Sequence, residues 1–216
     1  MNYNEKFLDL KRKLFNKCYA SLNAKQREAV FTINDPLLVL AGAGSGKTTV
    51  LVKRVVFLIK YGNAYYTDYV PEYVDDAYLA EMEQALAAKD TSLAEEMLPD
   101  FAYNACPPYR VLAITFTNKA AKEIKDRLAA ALDDESVAND IWAGTFHSIC
   151  MRILRANCEK IGYKREFTIY DADDTKKAVS SANDAESVVD GIEEGLHSGF
   201  IHGFIAGINF MKGALK

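Results

Sequence analysis

Long hydrophobic runs are absent from this 216-residue sequence, and none approaches the roughly 20 apolar residues that a membrane-spanning helix needs. The first residues, Met1 to Lys6, also lack the apolar core of a signal peptide. The four cysteines form no C-x-x-C pair, and the three histidines complete no set of zinc ligands. We therefore expect no membrane partner, no zinc site, and a cytoplasmic protein with reduced thiols.

Charge is distributed unevenly along the chain. Residues 62–104 hold ten acidic residues and one base, Lys89, so this segment has a net charge of −9, and the rest of the chain carries +5 of the total −4. A mildly basic body is compatible with nucleic-acid binding, whereas the acidic segment would repel phosphate. Because 50% of the residues are apolar, the chain can bury a substantial core.

The most informative stretch is a glycine-rich segment at residues 36–49. Leu37 to Leu40 form an apolar run typical of a buried parallel strand, Ala41 to Gly46 predict a loop, and Lys47 opens a helix. Such a loop can turn its backbone N–H groups toward a phosphate at the helix N-terminus. Lys47 would then reach the β- and γ-phosphates and the Thr48 hydroxyl would bind Mg²⁺. Ala41 replaces the first glycine of the usual pattern, and an ordinary strand-to-helix turn is the alternative interpretation.

The other predicted elements alternate between strands and helices. We predict helices over 3–19, from Asn23 onward and over 46–60, and further strands at Val111–Thr115, Ile141–Thr145 and Phe167–Tyr170. Helices that end near Leu132 and Ile161 separate these strands. The pattern indicates an α/β fold with a parallel sheet, in which ligands bind beyond the carboxyl ends of the strands. Three polar clusters fall there: 42–48, 115–119 and 144–148.

Residues 62–104 interrupt this alternation. Apolar residues at intervals of four predict one helix through Val74 and Leu86, and Ser92 with Glu95 predicts a capping box for a second, short helix. We interpret the segment as an acidic helical hairpin inserted at the rim of the sheet.

Residues 179–216 have a different character. Glycines recur every fourth residue from Gly191 to Gly207, beside an apolar ridge. Each glycine inside a helix costs about 0.5–1 kcal/mol, so such a helix needs close packing, either on the body or on a second copy in a homodimer. Insertion into a membrane is the alternative, which charged and histidine side chains in this segment disfavour.

Four segments in this order resemble a known family. They are Leu22-Asn-Ala-Lys-Gln26, Ala41-Gly-Ala-Gly-Ser-Gly-Lys-Thr48, Ile114-Thr-Phe-Thr-Asn-Lys-Ala-Ala121 and Ala143-Gly-Thr-Phe-His-Ser148. Together they resemble the first half of the motor of UvrD/Rep/PcrA-type superfamily 1 DNA helicases, which move 3′ to 5′ on single strands using ATP. The resemblance covers about residues 20–60 and 109–178. It implies an incomplete RecA-like motor domain over 1–178.

The resemblance also implies a nucleotide site and a DNA site. Gln26 would recognise the adenine in addition to capping its helix, and the phosphates of ATP would lie in the loop of Gly42, Ala43, Gly44, Ser45, Gly46, Lys47, Thr48 and Thr49. Lys47 and Thr48 would be the catalytic residues, with Thr48 on Mg²⁺. Single-stranded DNA would contact Phe116, Thr117, Asn118, Lys119, Thr145, Phe146 and His147.

The aromatic residues, Asn118 and Lys119 of this DNA site also have structural interpretations. The aromatic rings could stack on unpaired bases or pack in a core, Asn118 could be the N-cap of its helix, and Lys119 could be a solvated surface charge. Their common position at strand ends favours a functional role for the group.

Three departures from the family pattern limit the expected activity. Thr49 stands where the family usually has arginine, the segment 62–104 is long, and we find no Asp-Glu pair after an apolar strand to hold Mg²⁺ and position the attacking water. We expect this chain to need the rest of the motor as a partner. Alone, it should bind ATP–Mg²⁺ and single-stranded DNA weakly and hydrolyse little ATP. The alternatives are a non-enzymatic nucleotide-binding or dimerisation module and, less favoured, a small kinase or GTPase.

Overall fold

The computed structural model describes residues 2–164 and 166–167. The described residues divide into two units, the first ending at Phe146 and the second beginning at His147. The helices are α1 (Tyr3–Cys18), α2 (Ala24–Phe31), α3 (Lys47–Lys60), α4 (Asp76–Ala87), α5 (Ser92–Met97), α6 (Asn118–Leu132), α7 (Glu135–Asp140) and α8 (Phe146–Asn157), and the strands are β1 (Leu112–Thr115) and β2 (Trp142–Thr145). Helices and a small parallel sheet are thus combined, as an α/β fold requires.

Several predictions concern residues after Phe167, which the structure does not describe. The fourth strand, apart from its first residue, and the whole glycine ridge lie outside the described residues, as does the boundary predicted at 178/179. In the two described stretches, no helix combines the length and the apolar character needed to cross a bilayer.

The strands β1 and β2 form a two-stranded parallel sheet, in which Leu112 pairs with Trp142 and Thr115 with Thr145. Both strands were predicted to within one residue. The connection between them contains α6 and also α7, which sequence analysis missed. The Asp134 carboxylate caps α7 by accepting hydrogen bonds from the Ser136 and Val137 N–H groups. The helix is short and mostly polar, so it has no apolar periodicity from which it could be predicted.

The predicted strand at Leu37–Leu40 is wrong for the described structure. These residues lie outside the sheet, and their side chains are 41–85% exposed. A buried parallel strand needs neighbouring strands and cover on both faces. Within the described residues the sheet contains only β1 and β2, so the apolar run has no strand beside it. A local sequence shows that a segment is apolar, but whether the segment is buried depends on strands and helices from other parts of the chain.

The insertion does form two helices, α4 and α5, but its predicted position at the sheet rim is wrong. Both helices contact α1, and together with α2 and α3 they enclose a core rich in aromatic rings, separate from the core between α3, α6 and the sheet. The predicted cap is also wrong, because Ser92 is the first residue of α5 and Thr91 is its N-cap. The Thr91 hydroxyl instead donates to the Glu95 carboxylate over 2.7 Å.

One lysine is buried in this helical part of the molecule. Lys11 is 1% exposed, and its ammonium group donates to the Thr67 carbonyl over 2.7 Å. Burial lowers the pKa of Lys11 from 10.5 to about 8; the nearby Arg12 contributes to the shift and Asp68 opposes it. Because the folded-state pKa lies below the unfolded value, the unfolded chain binds more protons between pH 8 and 10.5. The Lys11 contribution to stability therefore rises with pH across this window.

We expect the free-energy difference between the wild type and Lys11→Met to shift in favour of the wild type between pH 7.5 and pH 10, because methionine does not titrate. Urea denaturation of both proteins at several pH values measures this difference. Burial raises the pKa of Cys18 to about 11, so the Cys18 contribution to stability falls as the pH rises. Cys18 is present in both proteins, and its contribution therefore cancels in the difference between them. If the free-energy difference between the two proteins did not change with pH, the Lys11 ammonium group would not be buried as described.

Candidate nucleotide and nucleic-acid site

The glycine-rich loop leads directly into the N-terminus of α3, as predicted. Gly46 is the N-cap of α3 with φ 80°, and Gly44 has φ 74°. Both residues occupy the left-handed region, where glycine carries no Cβ penalty. The Ser45 hydroxyl closes the loop by donating to the Gly42 carbonyl over 2.7 Å. An exposed loop of this shape at a helix N-terminus presents N–H groups and partial positive charge to solvent, an arrangement suited to an anion.

The predicted phosphate ligand Lys47 lies across this loop. Its ammonium group donates to the Ala41 carbonyl over 3.0 Å and to the Gly42 carbonyl over 2.5 Å. These contacts satisfy the positive charge with neutral acceptors. Phosphate oxygens are stronger, charged acceptors, so a bound phosphate could take the ammonium group from the carbonyls. Thr48 and Thr49 follow in the first turn of α3, with Thr48 half-buried and Thr49 exposed.

Gln26 connects α2 to the loop. The predicted capping box is confirmed: the Asn23 side chain accepts from the Gln26 N–H over 2.9 Å, and the Gln26 side-chain oxygen accepts from the Asn23 N–H over 3.0 Å. The other end of the amide donates to the Ser45 carbonyl over 3.2 Å. A Cβ at Gly46 would lie 3.3 Å from the Gln26 amide nitrogen. The structure thus places Gln26 beside the loop, 19 residues away in sequence.

Arg54 is a supporting residue that sequence analysis missed. It lies on α3, and its guanidinium group donates to the Ala29 carbonyl over 2.6 Å and also to the Thr32 carbonyl, both at the end of α2. Burial lowers the pKa of Arg54. This contact fixes α2, and with it Gln26, relative to α3. A single arginine in an amphipathic helix carries no sequence signal for such a role.

The predicted DNA-contacting residues follow the carboxyl ends of β1 and β2. Phe116 is 90% exposed and Phe146 is 38% exposed, and their ring centroids lie 5.7 Å apart. Core packing is therefore excluded for Phe116. An exposed aromatic pair at the ends of neighbouring strands offers a π-surface to which an unpaired base could bind.

The other members of this group differ in accessibility. Thr117 is the N-cap of α6 and accepts from the Ala120 N–H over 3.2 Å, so Asn118 is not the cap. Asn118, Lys119 and His147 are exposed. Thr145 is buried at 8% exposure, which makes it the least accessible of the seven predicted residues. The structure thus supplies exposed rings, one exposed cation and polar side chains on the first unit, with His147 opening the second unit.

These features define an α/β protein with a glycine-rich loop at a helix N-terminus and exposed aromatic rings at the strand ends. A family model of the UvrD/REP helicase N-terminal domain matches residues 22–68 and 88–195, which is more than half of the chain. The chain therefore belongs to the UvrD/REP helicase family and corresponds to part of its N-terminal domain.

Curated relatives agree with this assignment. The chain is 38% identical over 173 residues to the ATP-dependent DNA helicase PcrA of Staphylococcus epidermidis, an alignment that covers 80% of this chain and 18% of the relative. It is 38% identical over 167 residues to the PcrA of Staphylococcus aureus (strain Mu50 / ATCC 700699), covering 77% of this chain and 17% of the relative. The chain thus spans less than a fifth of the length of these relatives.

Proposed function

We propose that this chain is the nucleotide- and DNA-binding part of the first, RecA-like motor domain of an ATP-dependent DNA helicase that moves 3′ to 5′ on single strands. ATP with Mg²⁺ would be its cofactor, single-stranded DNA its substrate, and the rest of the motor its partner. The relatives are DNA helicases described as ATP-dependent, which supports this class of activity. Negligible ATP hydrolysis by this chain alone and a cytoplasmic location stay predictions.

The observation that carries the nucleotide part of the proposal is the contact between Gln26 and the glycine-rich loop. It brings a side chain able to pair with an adenine edge to a loop able to hold phosphates, at the N-terminus of α3. In the proposed complex Lys47 would exchange its loop carbonyls for the β- and γ-phosphates, and the Thr48 hydroxyl would hold Mg²⁺. The metal supplies charge neutralisation of the phosphates when it is bound.

We expect Lys47→Ala to weaken the binding of a fluorescent ATP analogue, in the presence of Mg²⁺, by about tenfold or more, because the variant loses a charge-assisted hydrogen bond to phosphate. Fluorescence titration measures the dissociation constant. The matched control is Lys125→Ala, which removes an exposed lysine on α6. Equal affinities of the two variants for the analogue would contradict the proposed nucleotide site.

We expect Phe116→Ala to weaken the binding of a fluorescein-labelled oligo-dT about fivefold or more at low salt, because stacking on one base contributes roughly 1–3 kcal/mol. Fluorescence anisotropy measures this affinity. Tyr109→Ala is the control: Tyr109 is 61% exposed and precedes the amino end of β1, whereas Phe116 follows its carboxyl end. A similar loss of affinity in both variants would show non-specific binding to exposed rings and would contradict the proposed DNA site.

A further inference from the structure

The insertion contains a stretch that the family match does not cover. The match breaks between residues 68 and 88, and this gap holds the loop 69–75 and the whole of α4. The nucleotide and DNA sites proposed above use no residue from this stretch. Its surface therefore calls for a separate explanation.

Four tyrosines form two neighbouring ring pairs at this position, here called the tyrosine face: Tyr69, Tyr73, Tyr78 and Tyr103. The rings of Tyr69 and Tyr103 lie 5.5 Å apart, and those of Tyr73 and Tyr78 also lie 5.5 Å apart. Asp100 links the two members of the second pair: its carbonyl accepts from the Tyr73 hydroxyl over 3.0 Å and its carboxylate accepts from the Tyr78 hydroxyl over 2.9 Å. Burial raises the pKa of Tyr73, and the nearby Asp100 and Tyr69 add to this rise, so Tyr69 is a neighbour of the second pair. Asp100 lies three residues before Tyr103, in the 3₁₀ turn Leu98–Phe101.

The tyrosine face is both exposed and held in place. Tyr69 and Tyr73 are each 53% exposed, although tyrosine rings gain free energy from burial. Ring contacts hold both pairs, and hydrogen bonds to Asp100 also hold Tyr73 and Tyr78 before any partner arrives, so little rotamer entropy is lost on binding. Exposed, pre-organised tyrosines with their polar hydroxyls in reach are typical of the central residues of protein interfaces.

The charge around the tyrosine face is strongly negative. Asp75 and Asp76 lie at the start of α4, two and three residues after Tyr73, and residues 62–104 have a net charge of −9. Among the described residues, ion pairs engage only two of the ten acidic side chains of this segment: Lys6 pairs with Glu83 over 2.8 Å and Arg12 with Asp68 over 3.5 Å. Most of the negative charge is therefore available to attract an external cation.

We propose that the tyrosine face is a docking surface for a lysine- and arginine-rich segment of a partner protein. Two properties select this partner. Tyrosine rings bind ammonium and guanidinium groups through cation–π contacts, and the surrounding carboxylates steer a basic segment toward them. Nucleic acid is disfavoured because its phosphates would be repelled by the same carboxylates.

The test uses the full chain and a fluorescein-labelled decapeptide of alternating lysine and arginine, with a decapeptide of alternating serine and glycine as reference. Anisotropy titrations at low and physiological salt measure binding. We expect Tyr69→Ala/Tyr73→Ala to bind the basic peptide about fivefold or more weakly than the wild type, at unchanged charge. Tyr73→Phe keeps the ring but loses the hydrogen bond to the Asp100 carbonyl, so its affinity should lie between those of the wild type and the double variant. Asp75→Asn/Asp76→Asn should bind more weakly and with a smaller salt dependence, while asparagine can still cap α4.

Controls separate this surface from general effects. Circular dichroism establishes that each variant is folded, and the single variant Tyr69→Ala, which removes no hydroxyl bond to Asp100, serves if the double variant does not fold. Oligo-dT affinity should be unchanged by the tyrosine substitutions. The proposal is overturned if the folded tyrosine-to-alanine variants keep wild-type affinity for the basic peptide, or if Tyr109→Ala loses as much affinity. It is also overturned if light scattering shows a dimer that the same tyrosine substitutions dissociate, because the partner would then be a second copy.

Discussion

Replacement of Gly62 by alanine is expected to lower the free energy of unfolding by about 3 kcal/mol or more. Gly62 has φ 58°, a conformation that costs alanine backbone strain, and a Cβ at this position would overlap the carbonyl groups of Tyr103 and Asn104. The close approach is structural, since it is where the two ends of the insertion meet. The Asn63 N–H donates to the Tyr103 carbonyl over 2.7 Å, and the Tyr103 N–H donates to the Tyr61 carbonyl over 3.0 Å.

Gly162→Ala is the matched control for this prediction. Gly162 also has a positive φ, 84°, but a Cβ there would meet no atom within 4 Å. Its replacement should therefore show only the cost of the left-handed backbone, about 1 kcal/mol. Urea denaturation followed by circular dichroism gives both values. Equal losses in the two variants would mean that the insertion does not close tightly on Gly62.

Truncation of Phe15 to alanine is expected to destabilise the protein by about 3–5 kcal/mol, because the vacated volume is enclosed and cannot collapse fully. Phe15 lies on α1 and is 0% exposed. Its ring packs 5.4–6.2 Å, between centroids, from five other aromatic rings: Phe31, Phe57, Tyr61, Tyr65 and Phe101. Edge-on contacts of this kind add to the free energy of burial.

The same substitution at an exposed phenylalanine calibrates the effect. Phe116→Ala should change the free energy of unfolding by only about 0.5 kcal/mol or less, since the Phe116 ring is 90% exposed. Thermal and urea denaturation of the two variants measure the contrast. Phe15→Ala should also weaken nucleotide binding, because two of its neighbours, Phe31 and Phe57, belong to α2 and α3, which carry Gln26 and the glycine-rich loop. A Phe15 variant as stable as the Phe116 variant would contradict the described core.

Features that depend on neighbouring residues were predicted well from the sequence. The capping box of Asn23 and Gln26, the glycine turn into α3, and the strands β1 and β2 all lie where their local patterns place them. Caps and glycine turns are contacts across three or four residues, so their residue types identify them. The family assignment follows from the same property, since four short segments carried the resemblance.

Features that depend on distant residues were missed or placed wrongly. The apolar run from Leu37 to Leu40 was expected in a buried strand, yet it is exposed because no described strand lies beside it. The insertion was expected at the sheet rim, yet it packs on α1 and buries the apolar face of that helix. Arg54 was not noticed at all, since its acceptors belong to a helix more than 20 residues away in sequence.

The sequence by itself determined most of the helices, the capping box of Asn23 and Gln26, the glycine-rich loop and the family, because each of these is encoded within a few consecutive residues. Tertiary structure alone decided that Gln26 contacts the loop, that Phe116 stays in solvent, and that tyrosines and acidic residues from two ends of the insertion share one surface. These arrangements arise from packing between segments far apart along the chain. Their free energy depends on shape and burial, which no short pattern of residues specifies.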